Sequence, residues 1–157
     1  MLFVTQYAEL AALRRRLRKT GTDRTGWISE YVDTASGEKW IDVYQDVDGR
    51  MPPILRKANL PSNLGQLVDE ALSSPREDDW YGLAFYFNQD GVDADELLVL
   101  LSSNCNKWSD RALRTFGKAL EIPDVRRIIG MTVDEVGASY QRFVQLKKNI
   151  NELIHRA

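Results

Sequence analysis

Three carboxylates stand in a row in "SSPREDDW": Glu77, Asp78 and Asp79, directly before Trp80. Carboxylates in pairs serve glycoside hydrolysis, and clustered around a divalent metal they serve phosphate chemistry. The rest of the chain offers such chemistry little company. His155 is the single histidine and lies close to the end of the chain, so any Ser-His-Asp or Cys-His device would depend on a position prone to fray. Cys105 is the single cysteine, in "SNCNKW", which excludes an internal disulfide and a thiolate zinc site. Glycines in "GRMPP", "NLGQL" and "FGKAL" are isolated, with no phosphate-cradling pattern. Asp46, Asp48 and Gly49 imitate part of a calcium loop, but that frame puts Tyr44 and Leu55 at its first and twelfth positions, where carboxylates are required. The expectation is a protein that is not an enzyme and carries no metal or cofactor.

The acids need another account, and part of it is local. Ser74, Pro75 and Glu77 form a capping box with proline at the first helical position. Asp93 and Glu96 repeat the device, and Asp78 falls in a first helical turn, where negative charge is favourable. Asp69, Glu70, Asp79, Asp90 and Asp95 are left without a local role, with Asp78 shared. Their setting is unusual. Residues 69–106 carry nine acids and one base, a net −8 in a chain of net −2. Such a segment repels nucleic acid and attracts a cationic protein surface, raising association rates and sharpening specificity. Glu70, Asp78, Asp79, Asp90 and Asp95 are the candidate partner-binding residues.

The elements that must position them read as follows. Phe3, Tyr7, Leu10, Leu13 and Leu17 are spaced as one helical stripe, closed by the cations of "RRRLRK". "WISEYVD" and "EKWIDVYQDV" form a hairpin about "TASG", with Tyr31 facing Trp40, Trp27 facing Tyr44 and Ile28 facing Val43. A lone hairpin is marginal in water, so it must pack on helices or on a further strand. Pro52, Pro53 and Pro61 mark an extended linker. Beyond it, helix starts recur at Ser62, Ser74, Asp93, Ser109 and the capping box Thr132–Glu135, the last opening a long C-terminal helix. "ALSSPREDDWYGLAFYFNQDGVD" overlays weakly on "LLSSNCNKWSDRALRTFGKALEIPD", as two helix-turn-helix units would. "WYGLAFYF" is apolar nearly all round and belongs in a core. Trp108 reads equally as an exposed anchor or as a lid on the core. The expected fold is α+β, mainly α: an N-terminal helix and β-hairpin, then a compact HEAT-like stack of helical hairpins and a long last helix. Residues 1–157 form a single domain, with 1–58 the helix-and-hairpin portion and 59–157 the helical portion.

No apolar run is long enough to span a membrane, and the N-terminal segment has its charges after its apolar part, the reverse of a secretory signal. A cytoplasmic protein is expected. The stretch from "GWISEYVD" through "PILRKANLP", "ALSSPREDDW" and "YGLAFYF" resembles small cytosolic immunity proteins of bacterial polymorphic-toxin and contact-dependent inhibition systems. The shared features are a Trp-containing hairpin, "PILRK" with a proline soon after, a helix ending in "ALSS", an acidic turn and a further helical hairpin. The resemblance implies a non-catalytic inhibitor that binds one toxin domain, often a nuclease, and covers its active or substrate site. The alternative is a helical-repeat adaptor or regulatory subunit that binds a cellular protein.

Overall fold

The computed structural model describes residues 1–26, 28–43, 54–121 and 130–156. The protein is mixed α+β and mainly helical. In chain order the elements are β1 (Phe3–Val4), α1 (Tyr7–Arg14), β2 (Leu17–Thr22), β3 (Ile28–Asp33), β4 (Lys39–Val43), β5 (Ile54–Lys57), α2 (Leu64–Leu72), α3 (Glu77–Asp90), α4 (Ala94–Asn104), α5 (Asp110–Ala119) and α6 (Val133–Arg156). A short 3-10 turn, Cys105–Lys107, follows α4. The chain divides into two compact units, Met1–Gly82 and Leu83–Ala157, so α3 begins in one and ends in the other. Among the described residues no helix is long and apolar enough to cross a membrane.

The first unit is built on a five-stranded antiparallel sheet of order β1-β5-β4-β3-β2. The expected hairpin is there in its expected register: Tyr31 opposes Trp40 and Ile28 opposes Val43. Its turn closes through Asp33 N–H to Glu38 O and Gly37 N–H to Asp33 O, with Gly37 at φ +74°, a conformation glycine adopts without a steric penalty. The Trp27–Tyr44 pair, Asp46, Asp48, Gly49, Pro52 and Pro53 lie outside the described residues.

Two expectations are corrected by the sheet. The N-terminal stripe is not one helix. Phe3 belongs to β1, Leu17 opens β2, and Tyr7 is 86% exposed, so α1 buries only Leu10 and Leu13. A helical spacing arose by chance across three elements, because sheet pairing outweighs local propensity once a hairpin edge is present. "LRK", read as a basic helix end, pairs with β3 as Leu17, Arg18 and Lys19. The supposed linker residues Ile54–Lys57 form β5, the strand between β1 and β4, with Ile54 and Leu55 buried. The extra strands supply what a lone hairpin lacks.

Cross-strand pairs share a face, so Val4, Leu55, Asp42, Trp40, Tyr31 and Leu17 look to one side. Helix α1 covers that side, and Val4, Leu10, Leu13, Trp40 and Leu55 form its core, with Leu17 and Tyr31 packed against it. Phe3 looks the other way and meets α3, where Gly82 allows the approach: a Cβ there would lie 2.2 Å from Phe3 Cβ.

In the second unit α6 packs on both α4 and α5. Phe87 and Phe116 meet edge to face at 6.2 Å, and Ile150 and Ile154 of α6 are fully buried. Gly117 of α5 lets Ile154 in: a Cβ would lie 2.1 Å from its Cγ2. Asp93 and Ser109 cap α4 and α5 as expected, accepting from Glu96 N and Ala112 N. Thr132 and Glu135 complete a reciprocal capping box, with Thr132 N donating to Glu135 Oε2 at 2.7 Å and Glu135 N to Thr132 Oγ1 at 3.3 Å. The cap of α2 is Asn63 rather than Ser62. Trp108 is buried, which decides its two readings in favour of the core. The paired serines of the overlay take different places: Ser73 and Ser74 follow α2, whereas Ser102 and Ser103 lie inside α4.

Candidate functional site

The "SPRE" capping box is not formed. Helix α3 starts at Glu77, two residues later than the box requires. Ser74 Oγ accepts from Arg76 N at 3.2 Å and donates to Asp79 Oδ2 at 2.6 Å. The displacement has a cause within the first unit. Asp79 is fully buried, and its Oδ1 accepts from the backbone N–H groups of Leu2 at 2.6 Å and Phe3 at 2.9 Å. Asp78, 2% exposed, accepts from the Thr5 hydroxyl at 2.6 Å and from Arg76. Arg76 also holds Glu9 of α1, and that carboxylate, the largest influence on it, raises the guanidinium's pKa further. Trp80 Nε1 donates to Ser74 O. These acids fasten β1 and the start of α1 to the start of α3. Asp78 and Asp79, expected at a partner surface, are therefore interior residues whose oxygens serve the fold. A buried carboxylate must be hydrogen-bonded to be tolerated, and both are.

The other three expected residues are exposed. Glu70 sits on α2 and accepts from Gln66 Nε2 at 3.0 Å, one turn away. Asp90 ends α3, in a last turn with no basic residue. A carboxylate there opposes the helix dipole, so α3 gains nothing from it. Asp95 accepts from Arg142 Nη2 of α6 at 3.2 and 3.0 Å. Glu70, Asp78 and Asp79 belong to the first unit, Asp90 and Asp95 to the second. Among the described residues no group of three or more His, Cys, Asp or Glu is placed to hold a metal ion.

Four exposed acids of the second unit lie close together in the chain: Asp90 at the end of α3, Asp93 capping α4, and Asp95 and Glu96 in the first turn of α4. One helical turn beyond Asp95 stands Val99, 64% exposed. On α6, Tyr140 and Val144, again one turn apart, are 51% and 43% exposed. The Asp95–Arg142 pair joins the α4 start to the same part of α6. An exposed aliphatic residue rimmed by charge is the make-up of a protein-binding surface rather than of a catalytic cleft, whereas Tyr140 and Val144 lie two residues either side of Arg142 and so on another face of α6. Sequence reasoning singled out none of Val99, Tyr140 and Val144. A cue existed for Val99: it falls between Leu97 and Leu101, the two buried residues of α4, and so cannot share their face.

No protein-family model matches the chain. No curated protein matches it. No solved structure matches it. Its function is therefore argued from its own residues.

Proposed function

We propose that this protein is a bacterial immunity protein that binds and neutralises a cognate toxin domain, such as a nuclease. The observation that carries the reading is the exposed turn Asp90–Glu96 with Val99 beside it. Its carboxylates are matched to a cationic groove that otherwise holds phosphate, and Val99 supplies apolar area that charge alone does not. The resemblance in the hairpin and the "ALSSPREDDW" turn supports the same class. The contact residues are Asp90, Asp95, Glu96 and Val99, with Glu70 a second exposed acid on the first unit. Asp78 and Asp79 are not among them.

The partner to test is the protein encoded immediately upstream. Co-expression protects the cell, the two proteins copurify, and association slows as salt rises. The double variant Asp90→Lys, Glu96→Lys stays folded and associates roughly tenfold more slowly, since rim charges act mainly on the on-rate. No complex and no protection would remove the reading. The rival reading, an adaptor or regulatory subunit presenting a HEAT-like helical stack, predicts a partner from the cell's own machinery instead.

A further inference from the structure

A second feature, on the first unit, has no part in the immunity reading. Asp42 lies in β4 on the sheet face that buries Trp40 and Leu55. The residue is 8% exposed. Its Oδ2 accepts from Arg14 Nη2 at 2.7 Å, while its buried Oδ1 has no hydrogen-bond partner. A half-satisfied buried carboxylate is a liability, and an apolar residue in its place is commonly as stable or more so. What the carboxylate achieves is to fix a guanidinium. Arg14 is the last residue of α1, its side chain is 45% exposed, and a single N–H of its fork is taken up by Asp42.

That guanidinium lines a cleft of about 430 Å3 together with Leu17, Gly26, Ser29, Tyr31, Asp42 and Leu55. Ser29 stands opposite Asp42 across the β3–β4 pair, and Tyr31 opposite Trp40. Among the described residues no protein group takes the Ser29 or Tyr31 hydroxyl as a hydrogen-bond partner. Lys19 pairs with Tyr31 from β2, and its charge acts on Asp42. Among the described lining residues Asp42 is the one acid, and the charges of Arg14 and Lys19 oppose it. The cleft thus combines an oriented guanidinium, two hydroxyls without a partner among the described residues and an apolar side at the half-buried Leu17 and Tyr31 ring, the few convergent polar groups on an apolar wall that mark a small-molecule site.

We propose that this cleft binds a small organic oxyanion, a carboxylate or phosphate monoester with a compact apolar body. Arg14 and the Ser29 and Tyr31 hydroxyls donate to the oxyanion, and the body lies on Leu17. Asp42 is a positioning residue: it holds Arg14 and does not touch the ligand. Guanidinium is suited to this because its fork meets two oxygens at once.

The test is titration of the 15N-labelled full chain with benzoate, phenyl phosphate and the neutral benzyl alcohol. The two anions shift the amides of Arg14, Ser29 and Tyr31 with saturation in the millimolar range, and the alcohol does not. The stronger anion identifies the source chemistry. Arg14→Gln keeps its fold and weakens the anions by about tenfold or more, as loss of a charge-assisted bond requires. Asp42→Asn also keeps its fold and weakens them less, while Arg14→Lys keeps only part of the affinity because an ammonium lacks the fork. No saturable shift at the cleft, equal shifts with benzyl alcohol, or an unchanged affinity in folded Arg14→Gln would each overturn the proposal.

Discussion

Replacing Asp79 by Ala separates an interior clasp from a surface acid more sharply than any other substitution. The carboxylate accepts from Leu2 N, Phe3 N and Ser74 Oγ and is fully buried. Bonds to a charged acceptor contribute about 1.5–3 kcal/mol each, and bonds sharing one group are not additive. Truncation also strands two backbone N–H groups. The expected loss is about 3–5 kcal/mol, a large part of the roughly 5–15 kcal/mol that holds a domain together. Asp79→Asn should lose less than half of that, because its carbonyl still accepts from Leu2 and Phe3 and its amide can donate to the serine hydroxyl. Urea unfolding, followed by circular dichroism and by the fluorescence of Trp40 and Trp80, measures both. An exposed acid at this position would change stability by no more than about 0.5 kcal/mol. A loss below about 1 kcal/mol for Asp79→Ala, with the midpoint of Asp79→Asn unmoved, would refute the clasp.

Three further perturbations test other parts of the fold. Gly117→Ala drives a Cβ into Ile154 and should cost about 1–3 kcal/mol, and the double variant with Ile154→Ala should be less destabilised than the sum of its single changes; strict additivity in thermal melts would count against the close approach. Thr132→Ala removes one side of the α6 capping box and should cost about 1 kcal/mol, with earlier fraying of α6 visible as faster amide exchange from Val136 onward. Burial pushes the Asp42 carboxyl above its ordinary value of 3.8, against the opposing pull of Arg14. The folded state then binds the proton more tightly than the unfolded state, so the contribution of Asp42 to stability falls as pH rises from about the unfolded value through the folded one. Asp42→Asn should abolish that fall, and a stability difference between the two proteins that stays constant across the acid range would contradict it.

The hairpin register was legible because its signals are local and mutually consistent. Tyr31 and Trp40 pair across a four-residue turn, and the glycine stands where the turn needs positive φ. The caps at Asp93, Ser109 and Thr132 were legible for the same reason: the acceptor and its donor are three residues apart. The other strands were not, because their partners are remote. β1 pairs with β5 about fifty residues on, and neither is long enough to show its own period. Asp79 misled in the same way. Nothing within a helical turn of it tells that the backbone of residues 2 and 3 will arrive, so a carboxylate with an interior task looked like one with none.

This changes what the acidic middle segment can do. Two of its nine carboxylates are interior, and Asp95 is engaged by Arg142, so the field it projects outward is weaker than a formal −8 implies. It is also divided, with Asp69, Glu70 and Glu77 on the first unit and Asp90, Asp93, Asp95 and Glu96 on the second. Steering by charge then rests mainly on one turn, and the salt dependence of association should be that of a few exposed carboxylates rather than of eight. It follows that a charge reversal meant to probe the surface must avoid Asp79. Lysine there would place an uncompensated cation in the core, and the lost binding that resulted would report unfolding. Asp90 carries the cleaner test, because its carboxylate opposes the dipole of its own helix: Asp90→Lys should leave α3 as stable or slightly more so while slowing capture of a cationic partner. A variant that lost stability and affinity together would place Asp90 among the residues that hold the fold, and would leave the acidic turn without its strongest claim to a partner.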